Sequence, residues 1–146
     1  MKGLAQFIES VLQDTLNTHN EIFVGKLSKK HARIIYDCIG VRYKKIPKII
    51  DSSAIRHIVR KHGTVKEVKM GQIRVEKKDL FLITQIIGEP DEIIYKGKNS
   101  QKQDVFCFNR NLGDLYICAM TIRISKNGAK LVLSSMYIQK RKKPVS

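Results

Sequence analysis

Acidic residues are scarce in this chain: 13 Asp and Glu stand against 28 Lys and Arg, a formal charge of +15 on 146 residues. Self-repulsion on that scale opposes compaction, so the imbalance points to a polyanionic partner. Nucleic acid comes first, because Lys and Arg neutralise phosphates, and an anionic membrane surface or an acidic protein comes second. Cysteine is equally sparse. Cys38, Cys107 and Cys118 are an odd number without a CxxC pair, which excludes a disulfide framework and a zinc knuckle. All three sit among apolar neighbours and read as buried free thiols.

Long apolar runs are also missing. No stretch reaches the length of a membrane span, and the first residues lack a signal-peptide pattern. The expectation is a soluble chain with no membrane partner, as a toxin domain cut from a larger secreted protein would also be. Absent too are GxxxxGK(S/T), GxSxG, HExxH and GxGxxG. No carboxylate pair stands out, since Glu76, Asp79, Glu89, Asp91 and Glu92 read as caps and solvated charges. An enzyme built from this chain to act on phosphodiesters would work without a metal cage or cofactor.

What is present fits one compact domain over residues 1–146. An amphipathic helix is predicted over 3–17, from Leu4, Phe7, Ile8, Val11, Leu12 and Leu16 at helical spacing. A short strand follows in EIFVGKL. Ser28 caps a second helix that Gly40 ends, and VRYKKIPKIID is extended around Pro47. A basic helix, SSAIRHIVRKHG, starts with Ser52 or Ser53 as its cap and stops at Gly63. After a loop with at most one short strand, EKKDLFLITQIIGEP is predicted as one helix. Four strands then follow, EIIYKG, QDVFCFNR, DLYICAMTIRI and KLVLSSMYIQ, with Asn127-Gly128 as the strongest hairpin cue. Helices followed by a meander give an α+β fold, with N-terminal helices packed on a C-terminal four-stranded antiparallel sheet. Residues 140–146 form a basic, solvated tail.

The basic helix holds two of the four histidines. Ile55, Val59 and His62 fall on one apolar stripe, whereas His57 lies on the polar face with Arg60 and Lys61. A histidine beside cations holds its proton less tightly, which suits a general base; an idle surface histidine is the simpler alternative. His62 on the core side can equally serve the helix end by bonding a carbonyl or meeting the dipole. In the last hairpin, a two-residue Asn127-Gly128 turn sets Thr121, Arg123, Ser134 and Lys140 on one face, with Ser135 and Tyr137 on the other. A bulge would instead bring Ser135 and Tyr137 beside Arg123. The pattern permits both.

The order VGKLS, IIDSSAIRHIVRKHG, KMGQIRVEKKDLFLITQIIGEPDEIIYKG and LVLSSMY resembles one family. It is similar to the phage-type branch of the barnase–EndoU–colicin–RelE nucleases, found as toxin domains in phage head-morphogenesis proteins and other polymorphic toxins. The likeness runs from about residue 22 to residue 140. It implies a metal-independent endoribonuclease without cofactors, working through a 2′,3′-cyclic phosphate in the cytoplasm of a target cell after delivery within a larger toxin or phage protein. By position, the motif histidines correspond to His57 and His62, accompanied by Arg56. The hydroxyl–aromatic pair of the terminal strand corresponds to Ser135 and Tyr137, with serine in place of the usual threonine. Arg123 and Lys140 would then stabilise phosphorane charge, and Arg56, Arg60, Lys61 and Lys140 would hold RNA, with tRNA among the targets. An acidic immunity protein would fit the charge. Two other readings stay open: a nucleic-acid-binding module without chemistry, and an appendage of a phage structural protein.

Overall fold

The computed structural model of the chain describes residues 3–64 and 72–140. In chain order the elements are α1 (Leu4–Gln13), β1 (Glu21–Lys26), α2 (Lys29–Ile39), β2 (Pro47–Asp51) and α3 (Ser52–His62). Then come β3 (Gln72–Ile73), two short helices α4 (Lys77–Leu80) and α5 (Ile83–Gly88), and the strands β4 (Glu92–Lys98), β5 (Asp104–Asn111), β6 (Leu115–Ser125) and β7 (Gly128–Gln139).

The architecture is α+β, but the sheet has seven strands rather than the expected four. The antiparallel meander β4–β7 is present as predicted. Its β7 edge is extended by β2 and then β1, and β3 joins β7 further along. β2 runs parallel to β7 through Lys48↔Leu131 and Ile49↔Val132. β2 is buried on both faces from Lys48 to Asp51. A strand of that kind shows no alternation in sequence, so PKIID gave only an extended segment and no place in a sheet.

β3 pairs with the far end of β7, Gln72↔Gln139 and Ile73↔Ile138. One edge of β7 is thus held by β2 at Leu131 and Val132 and by β3 at Ile138 and Gln139. α3 packs against β7 and spans the chain between those two strands. Its Ala54, Ile55 and Ile58 join Leu131, Leu133, Met136, Met120, Phe106 and Phe108 in the core, along with Ile83, Ile86 and Ile87 of α5. The other sheet face carries Ile117, Ala119, Thr121 and Arg123 of β6, since pairs directly opposite share a face.

Local chemistry explains several boundaries. α2 has the expected ends: Ser28 Oγ accepts from His31 N at 3.2 Å, and Gly40 takes φ 72°. α1 stops at Gln13, short of the expected 17, because the Asp14 carboxylate accepts from Leu16 N at 2.9 Å and Thr18 N at 2.8 Å. That turn leaves Leu16 exposed instead of on the apolar stripe. The predicted helix 76–90 is broken at Phe81 and Leu82. There Asp79 is held both by Glu76 N at 2.8 Å and by the Tyr116 hydroxyl at 2.7 Å. Of the three thiols, Cys107 and Cys118 are buried as expected, whereas Cys38 is exposed. The tail expected from 140 onward lies outside the described residues except for Lys140, which is exposed.

Gly63 ends α3 with φ −94°, so left-handed backbone is not its reason for being glycine. A Cβ there would sit 2.5 Å from the Val59 carbonyl oxygen and 3.2 Å from that of Val75. Gly63→Ala is therefore expected to destabilise the fold by about 1–3 kcal/mol, as overpacking against backbone does, measurable by urea unfolding. His31 gives a pH test. Burial, then Lys48 and Lys30, hold its pKa below the ordinary 6.5. The unfolded chain then binds a proton more readily than the folded one. Stability is full above about 6.5 and falls as pH drops from there toward the folded value. His31→Gln should flatten that part of the stability–pH curve.

Candidate active site

α3 is launched by Asp51, not by Ser52 or Ser53 as the sequence suggested. The Asp51 side chain accepts from Ala54 N at 2.8 Å and from Ser53 Oγ at 2.8 Å, an N-cap arrangement. Its other oxygen lies 3.6 Å from Arg123 Nη1. Ser52 is used elsewhere: its hydroxyl accepts from Asn20 N at 2.9 Å and donates to the Thr18 carbonyl at 3.0 Å. Arg56 belongs to the same tie. It donates to Asp14 at 3.2 Å and to the Thr18 carbonyl at 2.9 Å, which fixes the α1–β1 connection and engages this side chain within the fold.

His57 and His62 lie 140° apart around the axis by about 100° per residue, yet their rings meet. The centroids are 6.0 Å apart and nearly perpendicular. The buried side of α3 runs through Ala54, Ile55 and Ile58, while Val59 is exposed, so the apolar stripe differs from the expected Ile55–Val59–His62 line. His57 and His62 are both half-buried beside that side. His62 continues to Tyr137, whose ring is 5.8 Å away and tilted by 32°. Burial first, then Lys61, His62 and Arg60, lower the His57 pKa, so the imidazole is held neutral to lower pH than usual.

Tyr137 stands on the sheet face of Thr121 and Arg123, away from the core, because β7 is bulged. The β6–β7 register shifts between Ala119↔Ser135 and Met120↔Leu133, leaving Ser134 as the extra residue. The turn itself pairs Ser125 with Gly128, so Lys126 and Asn127 form the loop, not Asn127 and Gly128. The bulge resolves the open alternative. Ser135 opposes Ala119 and Tyr137 opposes Ile117, on the face of Thr121 and Arg123. Ser134 stays on it as well, with its hydroxyl bonded to that of Thr121. Ser135 Oγ is buried and has no hydrogen-bond partner among the described residues. Burial first, then the neighbouring Cys107 thiol, keep the Tyr137 phenol pKa raised, so it stays protonated.

The structure therefore brings together His57, His62, Tyr137 and, on the same sheet face, Ser135. Arg123 occupies that face further along β6, with its guanidinium turned to Asp51 and about half of its side chain exposed. Arg60 and Lys61 are exposed on the last turn of α3, and Lys140 is exposed just past β7. Asp51 and Cys107 were not expected in this neighbourhood. A carboxylate directly before Ser52-Ser53 was the available signal for the first. Among the described residues no three His, Cys, Asp or Glu side chains converge as metal ligands would. No helix among them is long and apolar enough to cross a membrane.

Comparison with known proteins gives one match. The family model described as phage-Barnase-EndoU-ColicinE5/D-RelE like nuclease3 covers residues 12–144. No curated protein matches, and neither does any solved structure. The matched span runs from the last residues of α1 through β7 and includes the histidine helix and the bulged strand, so the chain belongs to this family of phage-type barnase–EndoU–colicin–RelE nucleases.

Proposed function

We propose that the protein is an endoribonuclease that cleaves RNA by internal transesterification, with neither metal nor other cofactor. The observation that carries this reading is the contact chain His57–His62–Tyr137, two imidazoles and a protonated phenol on one basic surface. Neutral His57 takes the proton of the 2′-hydroxyl as its oxygen attacks phosphorus. The bond to the 5′-oxygen breaks, and His62 in its protonated form delivers a proton to that leaving oxygen. The products are a 2′,3′-cyclic phosphate and a 5′-hydroxyl. Proton transfers of this type contribute about 10²–10⁴-fold each. The Tyr137 hydroxyl donates to a phosphoryl oxygen, and Ser135 supports it from the same strand face, its own oxygen buried without a hydrogen-bond partner among the described residues. Arg123, with Lys140 and the cations of α3, offsets the charge that grows on phosphorus.

The scarcity of acids supports RNA as the partner, tRNA included, and an acidic immunity protein as its natural inhibitor. The same chemistry would make the protein a toxin in the cytoplasm of a target cell, delivered within a larger toxin or phage protein. Purified protein incubated with total RNA in EDTA should yield fragments ending in 2′,3′-cyclic phosphate. His57→Ala should lower the rate about 10²–10⁴-fold, and His57→Ala/His62→Ala should abolish it. Intact RNA at high protein concentration, with salt-sensitive binding alone, would instead identify a non-catalytic binding module.

The pH profile tests the role of His57 separately. A base must be deprotonated to act, and its pKa here is lowered, so the acid limb of kcat/KM should fall below the ordinary imidazole value of 6.5. Lys61→Ala removes a cation that contributes to the lowering and should shift that limb upward. An acid limb that does not move in Lys61→Ala would remove His57 from the base role.

A further inference from the structure

A cavity of about 680 Å³ lies between α2 and the chain that leads from α2 into β2. Its lining is apolar within and cationic at the rim. Leu27 is buried at its base, Ala32 and the rings of Tyr36 and Tyr43 form walls, and Lys29, Arg42, Lys44 and Lys45 surround the mouth. The Arg42 guanidinium lies 4.5 Å from the centroid of the Tyr36 ring, a cation–π arrangement that fixes both groups before any ligand arrives. Arg33, also at the rim, is paired with Asp37 at 3.1 Å. None of the other four cations has a carboxylate within ion-pairing distance among the described residues. Lys45 is held at φ 48°, a left-handed conformation unusual for a residue with a side chain.

This site is separate from the histidines. The chain enters β2 at Pro47 from the cavity and leaves it at Asp51 for α3, roughly 15 Å along the strand. The volume is in the range of pockets that enclose a small ligand. Aromatic walls match the flat face of a nucleobase, and unpaired cations at the mouth match the phosphates on either side of it. An acidic protein surface would satisfy the cations but leave the aromatic interior unused.

We propose that this cavity is a second RNA-binding subsite, which takes one unstacked nucleotide of the substrate strand while the histidine site holds the bond to be cut. The inference rests on RNA being the substrate. The subsite anchors the strand and takes no part in the chemistry.

The test uses the full chain carrying His57→Ala, so that RNA stays intact, with and without Arg42→Glu/Lys44→Glu. Both added changes are at exposed positions, and circular dichroism checks that the fold is kept. Anisotropy of a labelled single-stranded oligoribonucleotide is measured over a range of salt. The charge-reversed protein should bind at least about tenfold more weakly, with a salt slope reduced by about one or more. Tyr36→Leu, which retains an apolar side chain but removes the ring, should weaken binding about 5-fold or more, as loss of one stacked base does. In protein that retains His57, cleavage of a dinucleotide should be unchanged by the same substitutions, whereas cleavage of long RNA should slow. Unchanged oligonucleotide affinity in both variants overturns the subsite, and would leave the cavity to a protein partner. A dinucleotide that wild-type protein fails to cut counts against the endoribonuclease reading, while the anisotropy still decides the subsite.

Discussion

The Asp51 carboxylate is the point on which the arrangement turns. It ends β2, caps α3, holds Ser53 and faces Arg123 across the sheet, and it is nearly fully buried. A buried charge of this kind is tolerated only where donors surround it. Because its donors come from a helix start and from β6, satisfying it fixes the angle at which α3 leaves the sheet. That angle determines where His57 and His62 lie relative to β7. The placement of the two imidazoles is thus set one step back, at the residue that starts their helix.

The second constraint is one extra residue in a strand. Without the bulge at Ser134, the alternation of β7 would send Ser135 and Tyr137 to the helix side and Met136 to the other. With it, Met136 and Ile138 stay in the core while the hydroxyls come out beside Thr121 and Arg123. The core and the site therefore do not compete for register. Each half of β7 follows its own alternation, joined at a single irregularity.

The meander was legible because polar turns separate apolar runs of strand length, even though β5 and β6 are buried on both faces in their middles and only β4 alternates cleanly. α2 was legible because its caps are local, Ser28 and Gly40. What escaped were features set by distant partners. β2 is buried on both faces and has no period, so its parallel pairing with β7 across some 80 residues of sequence left no local trace. Asp51 was passed over because two serines behind it also satisfy cap preferences. The bulge was visible only as one of two registers, since both fit the same string. The likeness paired the two histidines, helical geometry set them about 140° apart, and their rings do meet. Angles on a helical wheel describe Cα–Cβ directions, and imidazole rings extend far enough from the backbone to meet across such an angle. Arg56 shows the reverse: it matched the motif, but its guanidinium is spent on Asp14 and Thr18.

β7 is the last strand described, yet it is paired with β6 on one edge and with β2 and β3 on the other. Both histidines emerge early in synthesis, on a helix whose packing surface does not yet exist. Tyr137 and Ser135 arrive only with the closing strand, in the same event that joins the two halves of the sheet. A chain cut or stalled before β7 lacks half of the site and the strand that seats α3. On the proposed mechanism the connectivity itself keeps a growing chain inert, because completion of the fold and completion of the site are one step.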